Sequence, residues 1–297
     1  MQRLHPFDPR RSASVVSRGH YPGCDPGRQS SVLLEIQASV AAVDWASLAA
    51  PQIVALAQKY AVVIIPVGSI EQHGPHLPVE VDARLATEIS RRAARLAPED
   101  TPIIVAPTIS VGLAQHHLSY SGALTLDFAT FHAVIGCWVR SIVASGFRRI
   151  ALVNGHGGNT TALRVVVNEL ARSERLPIVT CTYWDVAAAA FRDILETQPC
   201  VMHACEAETS LMMALAPETV RHEQMVGLTA PSFEGSEDPF ESAFYRSLDM
   251  DELSVNGVLG NPSAASAAKG ELLADAAATA LKTRLLDPQT WRRLEPR

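Results

Sequence analysis

Four short runs rich in Val and Ile recur along the chain: Ala61–Val67 (AVVIIPV), Pro102–Ala106 (PIIVA), Arg149–Val153 (RIALV) and Ile178–Trp184 (IVTCTYW). They lack the polar alternation of a strand with one wet face, so they predict strands buried on both faces, as in parallel sheets. Helical spacing fills the gaps, over Ala83–Ala97, Phe128 to about Ser145 with Gly146 as its stop, Thr160 to about Glu174, Val186–Glu196, Glu206–Leu215 and an Ala-rich Ser263–Leu286. From Trp45 onward this is the rhythm of βαβ units, hence an α/β fold with a mainly parallel sheet. Pro107–Thr125 reads as a long loop, and Pro217–Pro262 lacks a period and is expected to wrap the surface. With no internal repeat or linker, residues 36–297 read as one domain, and the Arg-, Pro- and Ser-rich residues 1–35 as a poorly ordered arm.

At 297 residues, 47% hydrophobic and 19% charged, the chain can bury a substantial core. A net charge of -6, without a clustered basic face, argues against a nucleic-acid partner. No stretch approaches the roughly 20 uninterrupted apolar residues of a membrane span. The N-terminal residues show neither an apolar core nor a cleavage site of a secretory signal. The five cysteines (Cys24, Cys137, Cys181, Cys200, Cys205) form no CxxC pair, so a reduced, cytoplasmic setting is expected.

Ligands of parallel sheets bind beyond the carboxyl ends of the strands, and that is where the polar clusters fall. The loop after the first strand carries Glu71, His73, His76 and Asp82; that after the third carries His156; a later segment carries His203, Glu206 and Glu208. Imidazole and carboxylate without thiolate suit Zn, Mn or Fe in a catalytic, partly open site. Glu71 and His73 stand two apart and point to one side of extended backbone, and Asp82 is placed to bridge two ions. Such ions could activate a water and polarise a carbonyl. Blander readings stand beside these. Asp82 could cap the helix at Ala83, and the glycine-rich turn at His156 could cradle an anion. His116 and His117 could contact substrate or form a solvated loop tip, and Cys205 could be a reactive thiol or a packing residue. His5, His20, His132 and His222 take no role, and Ser69 and Ser210 lack the setting of a nucleophile.

Three segments, Pro66–Pro78 (PVGSIEQHGPHLP), Leu152–Asn159 (LVNGHGGN) and His203–Ser210 (HACEAETS), together resemble the creatininase (creatinine amidohydrolase) family in its NGHGGN-type branch. The resemblance runs in order from about Trp45 to the final helix. It implies a three-layer α/β/α fold, two divalent metal ions per subunit (Zn, Mn or Fe) and a homo-oligomer, often a hexamer. Asp82 would bridge the metals, with Glu71 and His156 on one ion and His73 and Glu208 on the other. His203 matches the residue that protonates the leaving nitrogen, and Glu206 an acidic position suited to acid/base work or to support of the ligands. His117, Tyr120, Trp184 and Gly157 match positions lining the substrate.

The implied activity is hydrolysis of a small-molecule amide, lactam or formamide C–N bond by a metal-bound hydroxide, on a non-peptide, cyclic amide. Creatinine enzymes carry a bulky aromatic and an acidic residue where this chain has Gly157 and Gly158, which argues against creatinine itself. Alternatives are a creatininase-fold peptidase, a non-catalytic metal-binding homologue and, without a nearby Lys or Arg to support it, a phosphate-binding transferase.

Overall fold

Residues 43–228 and 246–292 are described by a computed structural model. The arm expected over residues 1–35 lies outside them, as does part of the stretch expected to wrap the surface. Strands form at the four apolar runs: β1 (Val62–Val67), β2 (Ile103–Val105), β3 (Arg149–Asn154) and β4 (Ile178–Thr182). All are parallel, in the order β2-β1-β3-β4. Val62 stands level with Ile103 on one side and Arg149 on the other.

Side-chain alternation explains why these runs carry so little polarity. Val62, Ile64, Ala151 and Val153 face one apolar cluster, whereas Val63, Ile65, Val67, Ile150 and Leu152 face another. Helices cover both faces. On the first lie α2 (Val81–Arg95), α5 (Ala188–Ile194), α6 (Glu206–Leu215) and α8 (Ala267–Leu286); on the second lie α1 (Ala50–Gln58), α3 (Phe128–Ala144) and α4 (Thr160–Ser173). The result is the three-layer α/β/α sandwich, and a four-residue α7 (Met250–Leu253) precedes α8. Among the described residues no helix is long and apolar enough to cross a membrane.

Local chemistry sets the element ends. Asp127 caps α3 by accepting from the Thr130 amide, and beyond its end Gly146 takes a φ of +99°, where a side chain would strain the backbone. The final helix begins at Ala267 rather than Ser263, because the Ser266 hydroxyl accepts the Lys269 amide and Pro262–Ala264 turns separately. The helix expected over Val186–Glu196 is shorter, its first turn a 3₁₀ turn at Asp185–Ala187. β4 stops two residues early: Tyr183 still donates to the Asn154 carbonyl, but Trp184 already leads into that turn.

Strand order reverses between β1 and β3, so the connections leaving their carboxyl ends diverge and open a crevice. Into it runs the start of α2, close enough to β3 that a Cβ on Gly155 would collide with the Asp82 carbonyl. Gly155→Ala is therefore expected to cost about 1–3 kcal/mol by overpacking. Thermal unfolding measures it, and an unchanged midpoint would show that α2 can move aside.

Candidate metal centre

The crevice gathers side chains from two strand exits and two helix starts. Glu71 and His73 come from the loop after β1, Asp82 from the first turn of α2, His156 from the loop after β3 and Glu208 from the first turn of α6. Glu71, His73, Asp82 and Glu208 are at most 3% exposed and His156 only 4%. Asp82 lies in the middle, its Oδ1 3.1 Å from His73 Nε2 and its Oδ2 3.0 Å from His156 Nδ1. Glu71 Oε2 is 3.2 Å from the same His156 nitrogen, and Glu208 Oε1 is 3.8 Å from His73 Nε2. Two groups of donors share Asp82, namely Glu71, Asp82 and His156, and His73, Asp82 and Glu208; a third group joins Glu71 and His73 to the part-exposed His203. Asp82 does not cap α2. The cap position is Glu80, and Asp82 sits one residue inside the helix with its carboxylate turned to the two rings.

Hydrogen bonds on the far side of each ring decide what these rings present. His73 Nδ1 lies 3.2 Å from the Glu71 carbonyl, and His156 Nε2 lies 3.0 Å from the Leu113 carbonyl. A carbonyl only accepts, so each neutral ring carries its proton there and turns a bare nitrogen toward carboxylate oxygens. Both oxygens of Glu71, Asp82 Oδ2 and His73 Nε2 are buried without an aligned hydrogen bond. Lone pairs facing carboxylates at such range call for a cation between them. The electrostatics agree. Burial would lower the imidazoles, but the surrounding carboxylates lift His73 and His156 well above their ordinary range. Burial alone would raise Glu71, but the neighbouring rings of His156 and His117 hold it well below. Glu208 is pushed up, first by burial.

His203 stands beside this cluster. Its Nδ1 is 3.7 Å from Glu71 Oε1, its ring packs on His73 with centroids 4.3 Å apart, and it is more exposed than the donors. Burial, then His73 and His117, holds it well below the usual imidazole range. His117 is buried rather than a solvated tip. Its Nε2 lies 3.0 Å from Glu71 Oε1 and its Nδ1 3.2 Å from Gln72 Nε2, so both ring nitrogens have neighbours within the site.

The other expected site residues take the following places. Glu206 does not reach the cluster: its carboxylate takes Lys269 Nζ at 2.7 Å, the Glu196 and Thr197 amides and the Thr197 hydroxyl. The reason is helical pitch, since two residues turn about 200° and place Glu206 and Glu208 on opposite sides of α6. Trp184 packs edge-on against Tyr183 and touches the first apolar cluster. The Tyr120 hydroxyl donates to the Ser254 carbonyl, tying the loop after β2 to the segment after α7. Gly157 is exposed with open space where a Cβ would project, whereas a Cβ on Gly158 would collide with His156 Nε2 and crowd the Leu113 carbonyl. Cys205 is fully buried, and burial pushes its thiol up to about 12, so it packs rather than reacts.

The two asparagines of the His156 turn were given no role of their own from the sequence, and His116 was left between a substrate contact and a solvated tip. Asn154 grips both the amide and the carbonyl of His156. Asn159 joins the Leu113 amide to the Gly68 carbonyl, and His116 stacks on His156 at 5.5 Å. Their only signal is position: the asparagines flank the GHGG turn. His76, expected in the polar loop, turns away to Thr209 Oγ1 at 2.9 Å.

A parallel three-layer sheet with paired imidazole–carboxylate groups at its strand-order reversal defines a class, α/β proteins with a potential metal-binding centre in the crevice. The family model described as Creatininase: creatinine amidohydrolase matches residues 46–285. The mycofactocin precursor peptide peptidase of Mycobacterium tuberculosis is 34% identical over 227 residues, covering 70% of this chain and 78% of that protein. The creatinine amidohydrolase of Pseudomonas putida is 29% identical over 228 residues, covering 71% and 84%. A solved structure described as "Creatininase Mn" superposes with a TM-score of 0.71 at 25% identity, covering 82% of this chain and 96% of that one. The chain belongs to the creatininase family of hydrolases.

Two outcomes follow from the groups around α6. Lys269→Met leaves the buried Glu206 carboxylate without its cation and should cost about 3 kcal/mol in urea unfolding, with Glu206→Gln in the same chain recovering part of it. Iodoacetamide should label the exposed Cys137 of the native protein at pH 8 and leave Cys205 unlabelled until unfolding, as peptide mass mapping would show.

Proposed function

We propose that this chain hydrolyses an amide-type C–N bond at a centre of two divalent cations held by Glu71, His73, Asp82, His156 and Glu208. The observation that carries the reading is the pair of rings whose protons are tied to backbone carbonyls while their bare nitrogens face buried carboxylates. These hard and borderline donors suit Zn, Mn or Fe. Bound there, two such ions would polarise the substrate carbonyl and make water acidic enough to attack it.

The chain's own groups handle the protons and the approach. His203 Nε2 is 2.8 Å from the Gln72 carbonyl and so holds its proton there, leaving Nδ1 bare on the side of Glu71. That nitrogen takes the proton from the attacking water and delivers it to the departing nitrogen. Glu206 has no part in this transfer. Loop 113–126 shapes the approach, with Tyr120 anchoring it to Ser254.

The substrate class that fits the expected chemistry is a small cyclic amide, lactam or formamide. Creatinine fits poorly, because Gly158 leaves no space for the acidic residue expected there. A peptide is the second reading, favoured by the higher identity to a peptide peptidase, 34% against 29% for a creatinine amidohydrolase.

Metal analysis of the purified protein should find about two divalent ions per chain. A screen of lactams, formamides and short peptides then identifies the substrate. Chelation, Glu71→Ala and His156→Ala should each abolish turnover, and His203→Ala should lower kcat about 10²–10⁴-fold. Hydrolysis that survives exhaustive chelation and both ligand variants would overturn the proposal.

A further inference from the structure

Gln72 lies between two proposed ligands and is itself 8% exposed. Its amide has a defined orientation: Oε1 accepts the Gly74 amide at 2.8 Å, so the other end is the NH2 group, a donor only. The segment that follows α7 closes over it, and a Cβ on Gly257, at a φ of +75°, would collide with Gln72 Oε1. The NH2 group stands 3.2 Å from His117 Nδ1. A donor there requires a lone pair on Nδ1, which places the one proton of a neutral ring on Nε2, 3.0 Å from Glu71 Oε1. The amide nitrogen also lies 3.0 Å from His203 Nε2, but the Gln72 carbonyl at 2.8 Å requires a proton on that ring nitrogen. The amide hydrogens therefore serve His117, and the backbone carbonyl serves His203.

We propose that Gln72 is a positioning residue that locks His117 in its Nε2–H tautomer, so that His117 meets Glu71 as a proton-bearing partner and stays out of the metal donor set. The second half of this statement rests on the metal-centre reading above; the tautomer itself does not. Without the lock, a third ring would turn a bare nitrogen toward Glu71 and compete with His156 and His73 for the ions. With it, the proton-bearing Nε2 of His117 stands 3.0 Å from Glu71 Oε1, while Oε2 stands 3.2 Å from His156 Nδ1.

Solid-state ¹⁵N spectra of the histidine-labelled full-length protein, with and without Zn²⁺, read the tautomer directly. Loss of one signal pair in His117→Asn assigns the ring. In the wild type, His117 is expected to show a protonated Nε2 and a bare Nδ1 in both states. Gln72→Glu keeps the shape but offers an acceptor, so the proton should appear on Nδ1, and Zn²⁺ affinity by calorimetry should fall about 10–100-fold, the range typical of groups that orient ligands. Gln72→Met, which offers no donor, should give both tautomers. A wild-type His117 protonated on Nδ1, or one whose Nε2 shifts as a ligand when Zn²⁺ is added, overturns the proposal whether or not the variants fold. A protein that binds no Zn²⁺ yet shows the expected wild-type tautomer would defeat the metal reading and leave the lock in place.

Discussion

Three carboxylates buried within a few ångströms of one another repel strongly, and burial denies them the water that would screen the charge. The fold holds Glu71, Asp82 and Glu208 together with two imidazoles threaded between them, which the carboxylates lift well above their ordinary range. Where each neutral ring would carry its proton is set at its far end, by the carbonyls of Glu71 and Leu113. Two acidic residues gain further from sitting in first helical turns, where the helix dipole favours negative charge: Asp82 in α2 and Glu208 in α6.

The surrounding architecture can be understood as support for that geometry. Asn154 and Asn159 hold the His156 loop against the loop after β2 and the end of β1. Gly155 lets α2 approach β3, and Gly158 leaves the bond from His156 to Leu113 undisturbed.

The two acids of α6 show how sequence spacing divides labour. Glu208 joins the cluster, while Glu206 faces the Glu196–Thr197 turn and Lys269 of α8. One helix thus turns Glu208 toward the cluster on one side and ties Glu206 to Lys269 on the other.

Much of this was legible in the amino-acid order. The four Val- and Ile-rich runs identify β1 to β4, although Val179, Thr180 and Cys181 of the edge strand β4 are only half-buried. The strand-exit rule narrows the site to eight residues, and the family resemblance picks Glu71, His73, Asp82, His156 and Glu208 from them as expected ligands. The roles of Glu206, Trp184, His117 and Gln72 were decided elsewhere. Whether a carboxylate meets a lysine or a ring, and which nitrogen of a ring holds the proton, depends on partners 45 to 131 residues away in the chain, such as His117 and His203 about Gln72. Such pairings are properties of the packed molecule, because hydrogen bonds are short and directional and only the tertiary fold brings their two ends together.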